Sequence, residues 1–408
     1  MSAPATKTDY DVVIVGAGPI GAAMALALRD SSLRIALLDS QPLLENLQPL
    51  AGAEFDPRVS AITPGSQALF EALGVWSAMQ QSRVSPYTHM HVREADGTAN
   101  INFCAADIHA TALGHIVENR VIVAAMHEQL RQQPRLDCLM PASVVALDNS
   151  PDAAVLTLQG GLQLSARLVI AADGAQSPVR HLAGFNTREW DYEHEAIVCS
   201  VRTEKHHQQC ARQIFMDQGV LAFLPLAAIG DEAGHWCSIV WSVMPTTAQP
   251  LMTMDDKDFC KALSLASEHW LGEVTQSSKR FSFSLRQRHA LEYVNNRVVL
   301  IGDAAHSIHP LAGQGANLGL ADVQALSGEL ALIGSTGRDP ADPILLARYQ
   351  RSRKPHNMSM MLLMEGFKRL YAGQPLPIRW LRNTGMRAVE HSPLIKNQLI
   401  RAAMGTHV

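Results

Sequence analysis

Two kinds of apolar pattern share this chain. Short unbroken apolar runs that end on glycine or aspartate occur three times: Asp11 to Val15 before Gly16, "RLVIAADG" from Arg167 to Gly174, and Val298 to Ile301 before Gly302-Asp303. Unbroken runs of this length, bounded by turn residues, predict strands buried on both faces, as in a parallel sheet. After the first run the spacing predicts a helix over Ala22–Arg29 and a second strand over Arg34–Leu38, ending at Asp39. A parallel sheet gathers its strand ends along one edge, where ligands bind. These distant pieces are therefore assigned to one domain.

The second pattern alternates. Residues 86–112, and again 188–284, hold short segments such as "AIVCSVRT", "GVLAFLPL", "WCSIVWSV" and "RFSFSLRQ", rich in β-branched and aromatic residues and parted by polar turns. They predict an antiparallel or mixed sheet covered on one face. The remainder reads as helical. The expected architecture is α/β: a Rossmann-like domain made of 1–85, 113–187 and 285–335, a mixed β-sheet substrate domain of 86–112 and 188–284 inserted into it, and C-terminal helices over 336–408.

Composition narrows the function. Of 408 residues, 47% are apolar and 18% charged, an ordinary globular balance, and the net charge of −4 argues against a nucleic-acid partner. Six scattered cysteines without a C-x-x-C pair read as reduced thiols of a cytosolic protein, not as a disulfide frame or a metal site. Val12 to Leu28 is 17 uncharged residues long, near the lower limit for a membrane span. Its glycines and proline interrupt it, and Asp9 and Asp11 stand where a signal peptide carries positive charge. A cytoplasmic protein is expected, with attachment to a membrane surface left open.

Candidate chemistry lies at the strand ends. Gly16-Ala17-Gly18-Pro19-Ile20-Gly21 fits G-x-G-x-x-G between a strand and a helix. The first glycine makes the turn, the second lets a pyrophosphate approach, and the third lets helix and strand pack. The helix N-terminus offers free N–H groups to the phosphates. Asp39 stands where a carboxylate holds ribose hydroxyls. The motif alone does not separate NAD from FAD. Asp173-Gly174 and Gly302-Asp303 can bind polyol hydroxyls or order loops, and Gly313-Gln314-Gly315-Ala316-Asn317 opens a helix whose dipole can face the anionic edge of a reduced flavin. Each turn, taken singly, also suits a plain strand-to-helix crossover.

In this order, GAGPIG, ADG with a downstream arginine, and GDAAHSIHPLAGQGANLG resemble the class A FAD-dependent aromatic hydroxylases of the para-hydroxybenzoate hydroxylase type. "GHIVEN" (114–119), "WDY" (190–192), "VLAFLPL" (220–226), "RYQRSRK" (348–354) and "QLIRAAMG" (398–405) extend the likeness to the ubiquinone-biosynthesis hydroxylases over nearly the whole chain. The resemblance implies FAD, with O2 as co-substrate and NAD(P)H or a separate electron donor. It implies a prenylated phenol as lipid substrate, a biosynthetic protein complex as partner, and room for an oligomer. Gly16, Gly18, Pro19, Ile20 and Gly21 would meet the pyrophosphate and Asp39 the adenosine ribose, where the family more often has glutamate. Arg58 in "DPRVSAI" and Arg120 would lie near the pyrophosphate and flavin, and Val144 would offer backbone to adenine. Asp173, Gly174 and Arg180 would order the groove. Gly302 and Asp303 would serve the ribityl chain, and Gly313 to Asn317 the flavin ring. Pro310 would sit above the ring beside substrate.

Histidines and the tail add further expectations. His306 and His309 read either as a proton relay to the phenol or as loop residues satisfied by backbone. His115 and Glu118 read either as a polar pair near the flavin or as structural residues, and His206-His207 as a solvated turn with no metal-binding spacing. From Ile344 onward the chain carries 11 Lys or Arg and two acids, which makes it +9 against −13 for the rest. Met358, Met360, Met361 and Met364 cluster there, a soft wall suited to greasy ligands. A basic, apolar tail suits peripheral contact with anionic lipid.

Overall fold

The computed structural model describes residues 8–44, 54–95, 100–217, 219–228, 230–307, 315–334, 337–371, 383–386 and 388–404. Three sheets organise them. The first has eight strands, and its parallel centre runs Val298–Leu300, Gln163–Ala171, Tyr10–Val15, Ile35–Leu38, Leu136–Leu139. Val12, Val13 and Ile14 are wholly buried, as unbroken apolar runs require. Helix Pro19–Ala27 lies against this sheet and between helices Asn119–Arg131 and Gly315–Gly334, and the apolar faces of all three join one core.

The second sheet has nine strands. His89–Glu94 and Asn100–Cys104 lie at one edge, and Thr187–Thr203, Cys210–Met216, Gly219–Pro225, Trp236–Val243 and Phe281–Ala290 make up the body, with the short strands Val274–Ser277 and His306–Ser307 paired to Thr187–Thr203 and Phe281–Ala290. All pairs are antiparallel except Cys210–Met216 with His89–Glu94. One face packs on helices Pro245–Thr253 and Asp256–Ala266 through Ile214, Leu221, Phe223, Ile239, Phe259 and their neighbours. The alternating pattern predicts no helix there, yet the second one had a signal: Asp255 caps it by accepting from Asp258 N–H at 2.7 Å. A third, three-stranded sheet of Val59–Ile62, Gly114–Glu118 and Val84–Tyr87 stands between the other two in the chain order of its strands.

The long helix Pro343–Tyr371 returns to the parallel sheet, where Tyr349 is buried and donates to Leu300 C=O at 2.8 Å. Pro393–Ala403 follows as a shorter helix. No described helix is long and apolar enough to cross a membrane.

Candidate active site

The strand ends of the parallel sheet open into a cavity of about 1660 Å³ that continues under the free face of the nine-stranded sheet. Its first part is polar. Gly16, with φ at +103°, sits so close to the neighbouring strand that a Cβ would stand 2.4 Å from Ala172 O. Only glycine can turn the chain here. At Gly18 a Cβ would meet nothing within 4 Å, so the start of helix Pro19–Ala27 has open space before its N–H groups. Asp39 accepts from Ala17 N–H at 2.6 Å and Gln41 N–H at 2.8 Å, which fixes the glycine turn to the second strand end.

Opposite stand Ala142, Ser143 and Val144, with Ala142 N–H donating to Asp39 C=O at 2.6 Å. Arg58 and Arg120 line the cavity, and neither side chain has an ion-pair partner among the described residues. The loop that carries Arg58 is pinned from beneath: Glu118 accepts from Asp56 N–H at 2.6 Å and pairs with Arg83 at 2.9 Å, both buried. Burial raises the Glu118 carboxyl and lowers the Arg83 guanidinium, against the attraction between them.

Two aspartates face the middle of the groove. Asp173 accepts from Val179 N–H at 3.1 Å, while its other carboxylate oxygen is buried without a partner. Burial raises this carboxyl despite the Ser177 and Val179 donors. Asp303 opens into the cavity from the turn after the last parallel strand, and enclosure by the surrounding walls raises it against the pull of His306 and Arg58. Arg180 binds the two turns from behind, donating to Ala304 C=O at 3.0 Å and Ala175 C=O at 2.8 Å. Gly315 and Ala316 line the groove, whereas Asn317 braces helix to strand through Ala61 C=O at 2.7 Å and Thr63 N–H at 3.1 Å. His309, Pro310, Gly313 and Gln314 lie outside the described residues.

His306 does not line the cavity. It is buried, and its Nε2 lies 2.6 Å from Asp322. Asp322 is a hub: it also accepts from Gly302 N–H at 3.0 Å, Arg353 Nε at 2.8 Å and Asn357 at 3.2 Å. Burial would raise its carboxyl, but the charges of His306 and Arg353 outweigh that and hold it below the usual range. Sequence reading missed this residue, although a lone carboxylate inside the apolar "LGLADVQAL" was a signal. It also missed His127, whose Nδ1 accepts from Leu44 N–H at 3.0 Å while Nε2 lies 2.8 Å from Ala17 C=O. Burial lowers His127, so the neutral ring ties the glycine turn to helix Asn119–Arg131.

For His115 and Glu118 the structural alternative holds, and for His207 the expectation needs correction. His115 and Glu118 do not pair, because residues three apart on a strand point to opposite faces. His115 meets Trp76 edge-on at 5.1 Å, and Glu118 takes Arg83. His207 is buried rather than solvated: its Nδ1 accepts from Gln209 N–H at 3.0 Å and Nε2 lies 3.3 Å from Leu226 C=O.

The second part of the cavity is apolar. Its walls include Met90, Phe103, Val198, Phe215, Val220 and Val240 from the large sheet, and Met360, Leu363, Met386, Leu399 and Met404 from the tail. So large a chamber with one polar end suits a ligand that is greasy over most of its length.

The polar part fits FAD. It offers an unpartnered buried acceptor at Asp173, two unpaired arginines, and open space at Gly18 before a helix N-terminus. A match to the FAD binding domain family spans residues 9–363. The p-nitrophenol 4-monooxygenase PnpA of Pseudomonas putida DLL-E4 shares the fold, with a TM-score of 0.77 over 99% of this chain and 100% of that one, at 18% identity. Fold, groove and family match define an FAD-dependent monooxygenase. The chain is also 36% identical to the 3-demethoxyubiquinol 3-hydroxylase of Escherichia coli K12, over 98% of this chain and 100% of that protein. It is 34% identical to the ubiquinone hydroxylase UbiL of Rhodospirillum rubrum, over 97% of this chain and 90% of that protein. The chain thus belongs to the ubiquinone-biosynthesis hydroxylases among the FAD-dependent aromatic monooxygenases. Oxygen and NAD(P)H, or another electron donor, are the co-reactants of this class.

Proposed function

We propose that the protein hydroxylates the aromatic ring of a prenylated phenol in ubiquinone biosynthesis. The observation that carries the reading is the continuity of the polar groove with the apolar chamber. A ring at the junction can lie against the flavin while its prenyl chain fills the chamber. When bound, FAD supplies the redox chemistry, by which one oxygen atom of O2 enters the ring and the other leaves as water at the expense of two electrons from the donor.

The chain's own residues bind, orient and exclude water. Gly16, Gly18, Pro19, Ile20 and Gly21 hold the pyrophosphate at the helix start, with Arg58 and Arg120 as its counter-charges. Asp39 and Val144 take the adenosine end. Asp303 and Gly302 hold the ribityl chain, and Gly313 to Asn317 the ring. Asp173, Gly174 and Arg180 keep the two turns in register. Pro310 is assigned to the substrate side of the ring. His306 is assigned a positioning role through Asp322, since its Nε2 is committed there. The walls of the chamber keep water from the reacting atoms.

A second reading concerns ring position. A 2-polyprenylphenol would be hydroxylated early in the pathway, whereas the name of the Escherichia coli relative favours a ring that already carries later substituents. Mass spectrometry of lipid extracts from aerobically grown cells lacking the protein separates them. Accumulated polyprenylphenol supports the first reading, and accumulated demethoxyubiquinol supports the second. An unchanged quinone pool overturns both.

The tail is assigned to a lipid surface. Leu362 is 68% exposed and Leu394 is 81% exposed, on two helices whose Leu363 and Leu399 rim the chamber. Purified protein should float with anionic vesicles at low salt and release at high salt; equal flotation with neutral vesicles would remove the electrostatic part of the assignment.

A further inference from the structure

Resting on that reading of the chamber, we infer that Gln213 is the group that takes a ring oxygen of the substrate. Strand Cys210–Met216 shows which of its faces meets the chamber. Ile214 packs with the helix-side core. Ala211 packs with Leu224 and Ile116, and Phe215 packs with Met386, Val92 and Val220, all chamber-side groups. Residues two apart share a face. Gln213, between Ala211 and Phe215, therefore points into the chamber, which it lines.

Its neighbours leave it room and nothing to bond. Across the sheet it stands opposite Ala222 on one side and Val92 on the other. Val240 is next in the row beyond Ala222. No side-chain hydrogen bond joins the Gln213 amide to any described residue, although the side chain is only 5% exposed. Two serines line the same wall without a side-chain hydrogen bond to any described residue: Ser238, 1% exposed with its Oγ enclosed, and Ser242, 3% exposed. The amide faces the open chamber rather than being sealed in the wall, so a ligand that filled the chamber without bonding it would strip its water at a cost. Replacement by a purely apolar residue would suit the prenyl chain better, so a ligand atom is the natural partner. The amide carries both a donor and an acceptor. It can donate to a ring oxygen or accept from a ring hydroxyl, whereas an isoprenoid chain offers neither group. Gln213 thus separates the two ends of the ligand and fixes which one turns toward the flavin.

The test compares two ligands on the FAD-loaded protein by titration calorimetry: a short-chain 2-prenylphenol and the same prenylated arene without the hydroxyl. A hydrogen bond from a buried amide predicts roughly tenfold tighter binding of the phenol. In Gln213→Met, which keeps the shape and loses the hydrogen bonds, the ratio should fall to about one, with the arene bound as well as before or better. FAD content should not change. Gln213→Leu serves as the second variant if Gln213→Met does not fold. A phenol preference that survives either substitution overturns the assignment. Equal binding of both ligands by the unaltered protein also overturns it and leaves the substrate class standing. Binding of neither ligand by the unaltered protein overturns the substrate class, and the assignment with it.

Discussion

The two halves of the cavity are built on opposite principles. The groove at the parallel strand ends is made of turns, each held by a side chain behind it: Asp39 behind Ala17, Arg180 behind Ala175 and Ala304, Asp322 behind Gly302. The chamber is made of one sheet face and the tail helices, and its apolar wall residues hold one another by contact alone. Polar partners in low dielectric demand geometry, so loss of one leaves another stranded. Apolar walls that line a cavity tolerate changes of shape. The groove should therefore fail abruptly, and the chamber gradually.

The largest expected effect is Asp303→Ala. Without the carboxylate in the last turn the protein should purify colourless, which absorbance at flavin wavelengths reads directly. A yellow protein with full FAD content would remove Asp303 from the cofactor site. Next is Asp322→Ala, which leaves Arg353 and His306 buried without their anion. Loss of one partner of a buried pair costs about 3–5 kcal/mol, and urea unfolding should show it. A loss below about 1 kcal/mol would mean that the hub is relaxed by water.

A smaller effect comes from His207. Burial first of all, with nearby positive charge, pushes it down to about 4, from about 6.5 in an unfolded chain. As pH falls below about 6.5 the unfolded chain takes the proton and the folded one does not. Stability should thus decline from about pH 6.5 toward pH 4, by roughly 2–3 kcal/mol from this residue. His207→Gln should flatten that part of the profile, and an unchanged slope would assign it to other groups. The smallest effect is Val240→Ala in the chamber wall. It should leave FAD content unchanged and stability within about 1 kcal/mol, while KM for a prenylated ring rises a few-fold. A colourless Val240→Ala protein would erase the distinction between the halves.

The same distinction decides what the sequence could reveal. The groove motifs were legible because each lies within a few consecutive residues: Gly16 to Gly21, Asp173-Gly174, Gly302-Asp303. The core runs were legible for the same reason. Partners distant in sequence were not. Arg83 finds Glu118 35 residues away and His306 finds Asp322 16 residues away, and no local pattern announces either. Gln213 looked like any polar residue in an alternating strand, because its meaning depends on which face of the sheet the helices Pro245–Thr253 and Asp256–Ala266 cover. His207 was misread because two adjacent histidines look solvated until the backbone N–H of Gln209 and the carbonyl of Leu226 close around one of them.

The Asp322 hub also sets an order of events during synthesis. Gly302 and Asp303 follow directly on a strand that pairs early-made β-structure at Gln163–Ala171. Yet the carboxylate that fixes Gly302 receives its cation from Arg353 and a further donor from Asn357. A nascent chain therefore carries the first glycine turn long before it can brace the last one. The two ends of the dinucleotide groove are finished more than three hundred residues apart on the ribosome, so the cofactor can be gripped at both ends only after Arg353 and Asn357 have been made.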